Sequence, residues 1–313
     1  MFCYLIDVSG TCNIRCPSCP VGNSQDTERP KGFMDVKLFN EIVKKIVMEM
    51  PPGFIDLFNW GEPFLHPELP AFVQTVKKHG MRCRLSSNFN AVSKLEEVLR
   101  EKPDYLRISL SGYDQQTYSQ THKKGNVNVV KSNMLELRML MNKLNSAVHV
   151  AVAYHRYIHN VGENHLKVKE LCKILNFNLE AVWAYLMPLE KLLAYYEGTL
   201  PEKDLELVNL LVIRPEESKQ VSMKYKTPDC NLRRTQMAIN VDGSVALCCV
   251  VYDQKYTIAQ NFLDKTFAEL QNAKYTHPMC SICMSHAAHT TYQFGGIHEL
   301  YAIATNRLSH LND

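Results

Sequence analysis

The chain has 313 residues, 46% of them hydrophobic and 21% charged, enough to bury a sizeable core. Lysine and arginine number 35 against 32 acids, a net charge of +3 that excludes the strong basic field of a nucleic-acid binder. No apolar run approaches the roughly 18 residues of a spanning helix, and the first nine residues lack the basic start of a signal peptide, so the sequence reads as cytoplasmic and without a membrane partner.

From residue 4 to about residue 227, strand-like and helix-like runs alternate, the pattern of an α/β layer on a parallel sheet. Six strands are predicted, at 4–8, 54–59, 82–87, 105–111, 148–154 and 179–186. Between the first two, Leu38, Ile42, Val43, Ile46 and Val47 repeat at helical spacing over 35–49, behind Asp35 as the cap. Six such units fit either an open doubly wound sheet or a partial barrel, and in both the chemistry belongs at the carboxyl ends of the strands. Three informative segments sit there: 12–19, 59–63 and 86–90.

Residues 188–228 carry Gly198, Pro201 and Pro215 around a helical run at 205–212 and read as a connection. Beyond it, 236–241 and 244–252 alternate around Asp242-Gly243, which predicts a hairpin with a type I′ turn. A short helix at 266–273 leads to the last cysteine pair. The implied division is a first body over 1–190, a helical connection over 191–228 and a small second body over 229–313.

Eleven cysteines in a chain of this size without an export signal point to metal ligation before disulfides. Cys12, Cys16 and Cys19 form C-x3-C-x2-C on one loop. Three thiolates leave tetrahedral zinc one ligand short, but they can hold three irons of a [4Fe-4S] cube and leave the fourth open. Cys3, Cys83 and Cys172 lie in apolar runs and read as core.

With this spacing directly after the first strand, the sequence resembles the radical S-adenosylmethionine (radical SAM) superfamily. The resemblance implies an α/β fold, a partial (β/α)6 barrel, followed by a small C-terminal hairpin-plus-helix domain of the twitch type. In that family the open iron binds the amino and carboxylate groups of S-adenosylmethionine, and an electron from the cube cleaves the sulfonium to a 5′-deoxyadenosyl radical. Asn59-Trp60-Gly61-Glu62-Pro63 resembles the family's G-G-E-P segment, which implies that Gly61 and Glu62 contact the methionyl amine. Ser86, Asn88, Ser109 and Ser111 fall where the family gathers ribose contacts, and Lys124 where relatives place a basic partner for the cofactor carboxylate. Two positions depart from the pattern and bear on how the adenine packs: Ser18 replaces an aromatic residue, and Trp60 replaces a glycine.

Cys230, Gly243 and Cys248 are spaced as in the opening of SPASM and twitch extensions, and Cys280 with Cys283 completes four ligands. The resemblance implies one auxiliary [4Fe-4S] cluster, fully protein-ligated, so that the chain carries two clusters and S-adenosylmethionine. Taken alone, the same four thiols would also suit a structural zinc knuckle. Strand alternation is expected to turn Cys249 to the opposite face from Cys248. Resemblance to radical SAM epimerases implies that Cys249 donates a hydrogen atom; the residue by itself reads equally as buried packing. His155, within the polar run 154–157, reads either as a contact to cofactor or substrate or as a solvated rim.

These features imply an enzyme that takes a hydrogen atom from an unactivated C–H bond, with a ribosomally made peptide as the leading substrate and epimerisation, splicing or crosslinking as the outcome. A sugar or aminoglycoside dehydrogenase or epimerase is the alternative, and a zinc-stabilised, non-catalytic binding protein a distant one. Because the first strand begins at residue 4, no leader-binding domain is expected ahead of it, so a peptide would need a separate leader-recognition protein. Electrons would come from a donor such as flavodoxin or ferredoxin.

Overall fold

The architecture is that of a computed structural model, which describes residues 2–23, 29–292 and 297–309. Six parallel strands follow in strict sequence: β1 (Cys3–Ile6), β2 (Phe54–Asp56), β3 (Arg82–Ser87), β4 (Tyr105–Ser109), β5 (His149–Arg156) and β6 (Asn178–Trp183). All six predicted strands form, with ends shifted by a few residues. Their order in the sheet, β6-β5-β4-β3-β2-β1, never reverses. A doubly wound sheet has a switch point where the order turns back; a monotonic order is that of a partial barrel.

The helices cover one face of the sheet because their apolar stripes have nowhere else to go. Val36–Glu49 buries Phe39, Ile42, Val43 and Ile46, and Leu69–Lys78 buries Phe72, Val73 and Val76. Each such side chain contributes about 1.5–3 kcal/mol. Asp35 caps the first of these helices, accepting from the N–H groups of Lys37 and Leu38. Alternation along the strands then assigns the other face: Leu106 and Ile108 of β4 are fully buried in the core, while Tyr105, Arg107 and Ser109 point the other way.

The segment read as a connection holds three helices, Leu189–Tyr196, Glu202–Leu210 and Pro215–Lys224, of which the sequence pattern indicated one. The hairpin after it forms β7 (Gln236–Ile239) and β8 (Val245–Ala246), followed by β9 (Thr257–Ala259). β7 pairs in parallel with β1, Ile6 opposite Ile239, so the hairpin extends the barrel sheet. The turn is not type I′. Of its residues only Gly243 has positive φ, +85°, and the Gly243 N–H donates to the Asn240 carbonyl at 2.9 Å. That is a type I turn closed by one left-handed residue, the common three-residue hairpin loop. The predicted last helix forms over Phe267–Thr276, with Thr266 and Glu269 as a capping box. Among the described residues, no helix is long and apolar enough to cross a membrane.

Candidate active site

At the carboxyl end of β1 the chain places an acid in the core. Asp7 is 3% exposed, and its Oδ1 accepts from the N–H groups of Asn59, Trp60 and Gly61 at 2.8, 3.0 and 3.2 Å. The loop after β2 is thereby wrapped around a carboxylate from β1. Burial pushes the Asp7 pKa up, opposed by Arg29 and these N–H bonds. Arg29 lies 3.4 Å from Asp7 and donates at 2.6 Å to Asn240 Oδ1 and at 3.0 Å to the Tyr252 carbonyl, tying this corner to the hairpin.

Gly61 has no room for a side chain: an added Cβ would stand 1.7 Å from the Ser9 carbonyl oxygen. The next residue, Glu62, donates its N–H to the Thr11 carbonyl at 2.8 Å. The turn 59–62 and the backbone entering the cysteine loop are therefore in direct contact. Glu62 is itself 3% exposed, its Oε1 accepting from Phe64 N–H at 3.1 Å and its Oε2 from Asn88 N–H at 2.7 Å. Burial outweighs these bonds and raises its pKa to about 7.

Cys12, Cys16 and Cys19 line one cavity of about 300 Å³ at the strand ends. Gly61, Glu62, Ser86, Asn88, Ser109 and Ser111 line the same cavity. Asn88 Nδ2 points at Cys12 Sγ, 3.5 Å away. Burial, then the neighbouring thiols, push Cys16 well above the ordinary thiol range, and burial carries Cys12 up to about 12. Cys12 and Cys16 therefore stay protonated until a cationic group takes them as thiolates. Among the described residues, no three of His, Cys, Asp and Glu converge closely enough to take a single metal ion. A cube engages each thiolate at a different iron, so the triad on its loop fits it as a donor set.

The remaining cavity wall was only partly legible. Arg107 and Ser86 are register partners on β4 and β3, with Arg107 Nε donating to Ser86 Oγ at 3.1 Å. His155 and Tyr157 line the cavity rather than a solvated rim; Tyr157 is hydrogen-bonded with Ser18, and burial lowers the His155 pKa to about 4. Trp183 lines it too, its indole N–H buried without an acceptor. Lys124 is exposed and outside the cavity.

A second, smaller cavity of about 30 Å³ gathers Cys230, Cys248, Cys280 and Cys283 among Leu232, Leu247 and Met279. Backbone N–H groups are aimed at the sulfurs: those of Arg233 and Leu232 at Cys230, of Val250 at Cys248, and of His289 at Cys283. Such bonds favour thiolates and are a regular feature of iron–sulfur ligation. His289 is 1% exposed on this wall, Nε2 against the Thr227 carbonyl at 3.1 Å and Nδ1 unpartnered. A zinc knuckle would draw its four sulfurs to about 4 Å from one another; these do not converge on one ion.

Cys249 departs from its expected orientation. β8 ends at Ala246, so strand alternation does not extend to residues 248 and 249, and their thiols are hydrogen-bonded to one another. That bond brings Cys248 down to about 7 against the opposing effect of burial, and together with burial it pushes Cys249 up. Gln236 Oε1, 3.0 Å from Cys249 Sγ, is an alternative acceptor for the same S–H, and Cys249 lines neither cavity. Cys3, Cys83 and Cys172 are buried in the core, as expected.

Residues 6–155 match the Radical SAM superfamily. That segment, just under half of the chain, is a radical SAM domain. No curated protein matches the sequence. The fold likeness extends beyond the matched segment: native anSMEcpe with bound AdoMet superposes with a TM-score of 0.56 at 17% identity, over 99% of this chain and 98% of its own. Streptococcus suis SuiB bound to S-adenosylmethionine gives 0.58 at 12%, over 91% and 68%. SuiB bound to precursor peptide SuiA gives 0.60 at 13%, over 91% and 66%. At these identities the likeness is one of fold.

Proposed function

We propose that this radical SAM enzyme carries one auxiliary [4Fe-4S] cluster on Cys230, Cys248, Cys280 and Cys283 and abstracts a hydrogen atom from a ribosomally made peptide. The observation that supports it most is the single cavity bringing Cys12, Cys16 and Cys19 together with Gly61, Glu62, Ser86, Asn88, Ser109 and Ser111. When bound there, S-adenosylmethionine and the cube supply the carbon radical. The chain's own part is to hold and orient. Glu62 offers a carboxylate to an ammonium group, which would favour its ionised form. Gly61 lets the backbone approach, the serine hydroxyls suit the ribose diols, and the buried aromatic wall excludes water.

A peptide substrate is favoured by the fold likeness to SuiB, whose structure includes its precursor peptide. Epimerisation is the version in which Cys249 supplies the returning hydrogen atom; the Asn59 amide, which lines the cavity and reaches the Cys249 backbone carbonyl, supports that version. A separate leader-recognition protein and a flavodoxin- or ferredoxin-class donor complete the proposal.

The test is anaerobic reconstitution with iron and sulfide, followed by reduction with S-adenosylmethionine present. About eight irons per chain are expected, four per cube. Replacing Cys12, Cys16 and Cys19 together by alanine should leave about four irons and abolish 5′-deoxyadenosine formation. Cofactor cleavage in that variant, or tight zinc in place of iron, would overturn the reading.

A further inference from the structure

Lysine on a surface helix is normally solvated, and the pattern of Phe267–Thr276 gives no reason to expect otherwise at residue 274. In the structure Lys274 is 2% exposed. Its Nζ donates to the Arg233 carbonyl at 2.6 Å and to the Gln236 carbonyl. Both acceptors are neutral, and among the described residues no carboxylate forms a salt bridge with it. A buried ammonium left in that state is costly, so it calls for an anion.

The groups that can answer it are sulfurs: burial lowers the Lys274 pKa, and Cys248, Cys249, Cys280 and Cys230, once taken as thiolates, oppose that shift. Its two hydrogen bonds fix it against the same site: Arg233 lies one turn beyond Cys230 and lines the four-cysteine cavity, and the Gln236 side chain lies 3.0 Å from Cys249 Sγ. The other cation on that wall is already engaged, since Arg233 donates to Asp229 at 2.5 and 3.1 Å and stacks 4.1 Å from the Tyr275 ring. Lys274 is left, among the described residues, as a buried positive charge without a carboxylate partner, held to the backbone of a residue that lines this cavity.

We propose that Lys274 is a positioning residue for electron transfer: its fixed ammonium stabilises the one-electron-reduced state of the group held by Cys230, Cys248, Cys280 and Cys283. The inference rests on the reading of those thiols as ligands of an auxiliary cluster. The step adds one electron to that group from a flavodoxin- or ferredoxin-class donor, which is itself oxidised by one electron; no bond is made or broken. The added negative charge meets the buried Lys274 ammonium at a largely apolar site, where screening is weak and a single charge acts strongly. Removing the charge therefore shifts the reduction potential downward.

The test uses full-length protein with Cys12, Cys16 and Cys19 replaced by alanine, so that one cluster remains, reconstituted with iron and sulfide. Lys274→Gln keeps hydrogen-bond donors for both carbonyls and removes the charge; Lys274→Arg keeps the charge. Potentiometric titration followed by electron paramagnetic resonance should show a more negative midpoint in the Gln variant at unchanged iron content, and a midpoint near the parent in the Arg variant. Equal midpoints in all three proteins at full iron content would overturn the proposal and leave the auxiliary cluster standing. If the parent holds no iron, both readings fall. If the Gln variant alone cannot hold the cluster while Arg can, the charge serves assembly rather than the potential and the proposal fails; if Gln holds it and Arg does not, with Gln at the parent midpoint, Lys274 acts as packing and the proposal fails.

Discussion

Gly61→Ala tests the geometry that joins the strand-end turn to the cysteine loop. The added Cβ would meet the Ser9 carbonyl oxygen at 1.7 Å, whereas real Cβ atoms keep at least 3.0 Å, so that backbone must retreat by 1.3 Å or more. Little can give. Ser9 bridges to Phe33, Thr11 accepts from Glu62 N–H, and three N–H groups of the turn are held by Asp7. Overpacking costs about 1–3 kcal/mol, and because the clash is with backbone the upper end applies. Thr11 directly precedes Cys12, and displacements near 1 Å at a reacting centre cost on the order of 10²-fold in rate. The variant is expected to keep about four irons of eight and to lose most 5′-deoxyadenosine formation, measured by colorimetric iron and chromatography after anaerobic reduction. Gly80→Ala is the control: its Cβ meets nothing within 4 Å, but φ is +71°, so it is destabilised by about 1–2 kcal/mol through backbone strain alone and should load iron normally. A Gly61→Ala protein with full iron and wild-type cofactor cleavage would refute the reasoning.

Asp7→Ala removes the acceptor of three half-buried N–H groups and the buried partner of Arg29; a loss of roughly 3–5 kcal/mol is expected in urea unfolding, and a loss below about 1 kcal/mol would show that the turn holds itself. Cys249→Ala should keep both clusters and still consume S-adenosylmethionine while the normal product disappears; unchanged product, or product made in deuterium oxide without deuterium at the altered carbon, rules out Cys249 as the donor. For His155, burial and then Arg107 hold the folded pKa near 4, below the ordinary 6.5. The unfolded chain binds the proton first, so stability is full above about pH 6.5 and falls as pH drops toward 4, by up to about 1.4 kcal/mol per pH unit. His155→Gln should flatten that slope in metal-free protein, and an identical slope would remove His155 from the account.

The parts legible in the sequence are those whose cause is local. Asp35 announces its helix, Thr266 with Glu269 announces another, and six apolar runs between helical stripes become six strands. The cysteine spacings and the 59–63 turn were legible for the same reason, since a loop's ligands must be close in sequence to share a group. What escaped is set by distant pairing. Nothing within 236–241 says that β7 will lie against β1, and nothing in the short helix after residue 266 marks Lys274 as buried. Asp7 escaped as well, because its three N–H partners lie more than fifty residues away. Cys249 was misplaced because alternation was carried past Ala246, where the strand had ended.

That pairing of β7 with β1 explains why two cysteine sites so far apart in sequence are mechanically one. The loop bearing Cys12 leaves the sheet from β1, and the hairpin leading to Cys248 starts on its neighbour. Two side chains then bridge the gap. Arg29 spans from Asp7 to Asn240 and Tyr252, and Asn59, with its amide set to satisfy both neighbours, accepts from Trp60 Nε1 and donates to the Cys249 carbonyl at 3.2 Å each. Trp60 in turn packs edge-on against Tyr252, 5.7 Å between centroids. A glycine at position 60 could make neither the indole hydrogen bond nor this ring contact. The departure from the family's G-G-E-P segment is therefore a structural gain at the seam: the residue that replaces the first glycine holds the turn carrying Gly61 and Glu62 against the loop carrying Cys248 and Cys249.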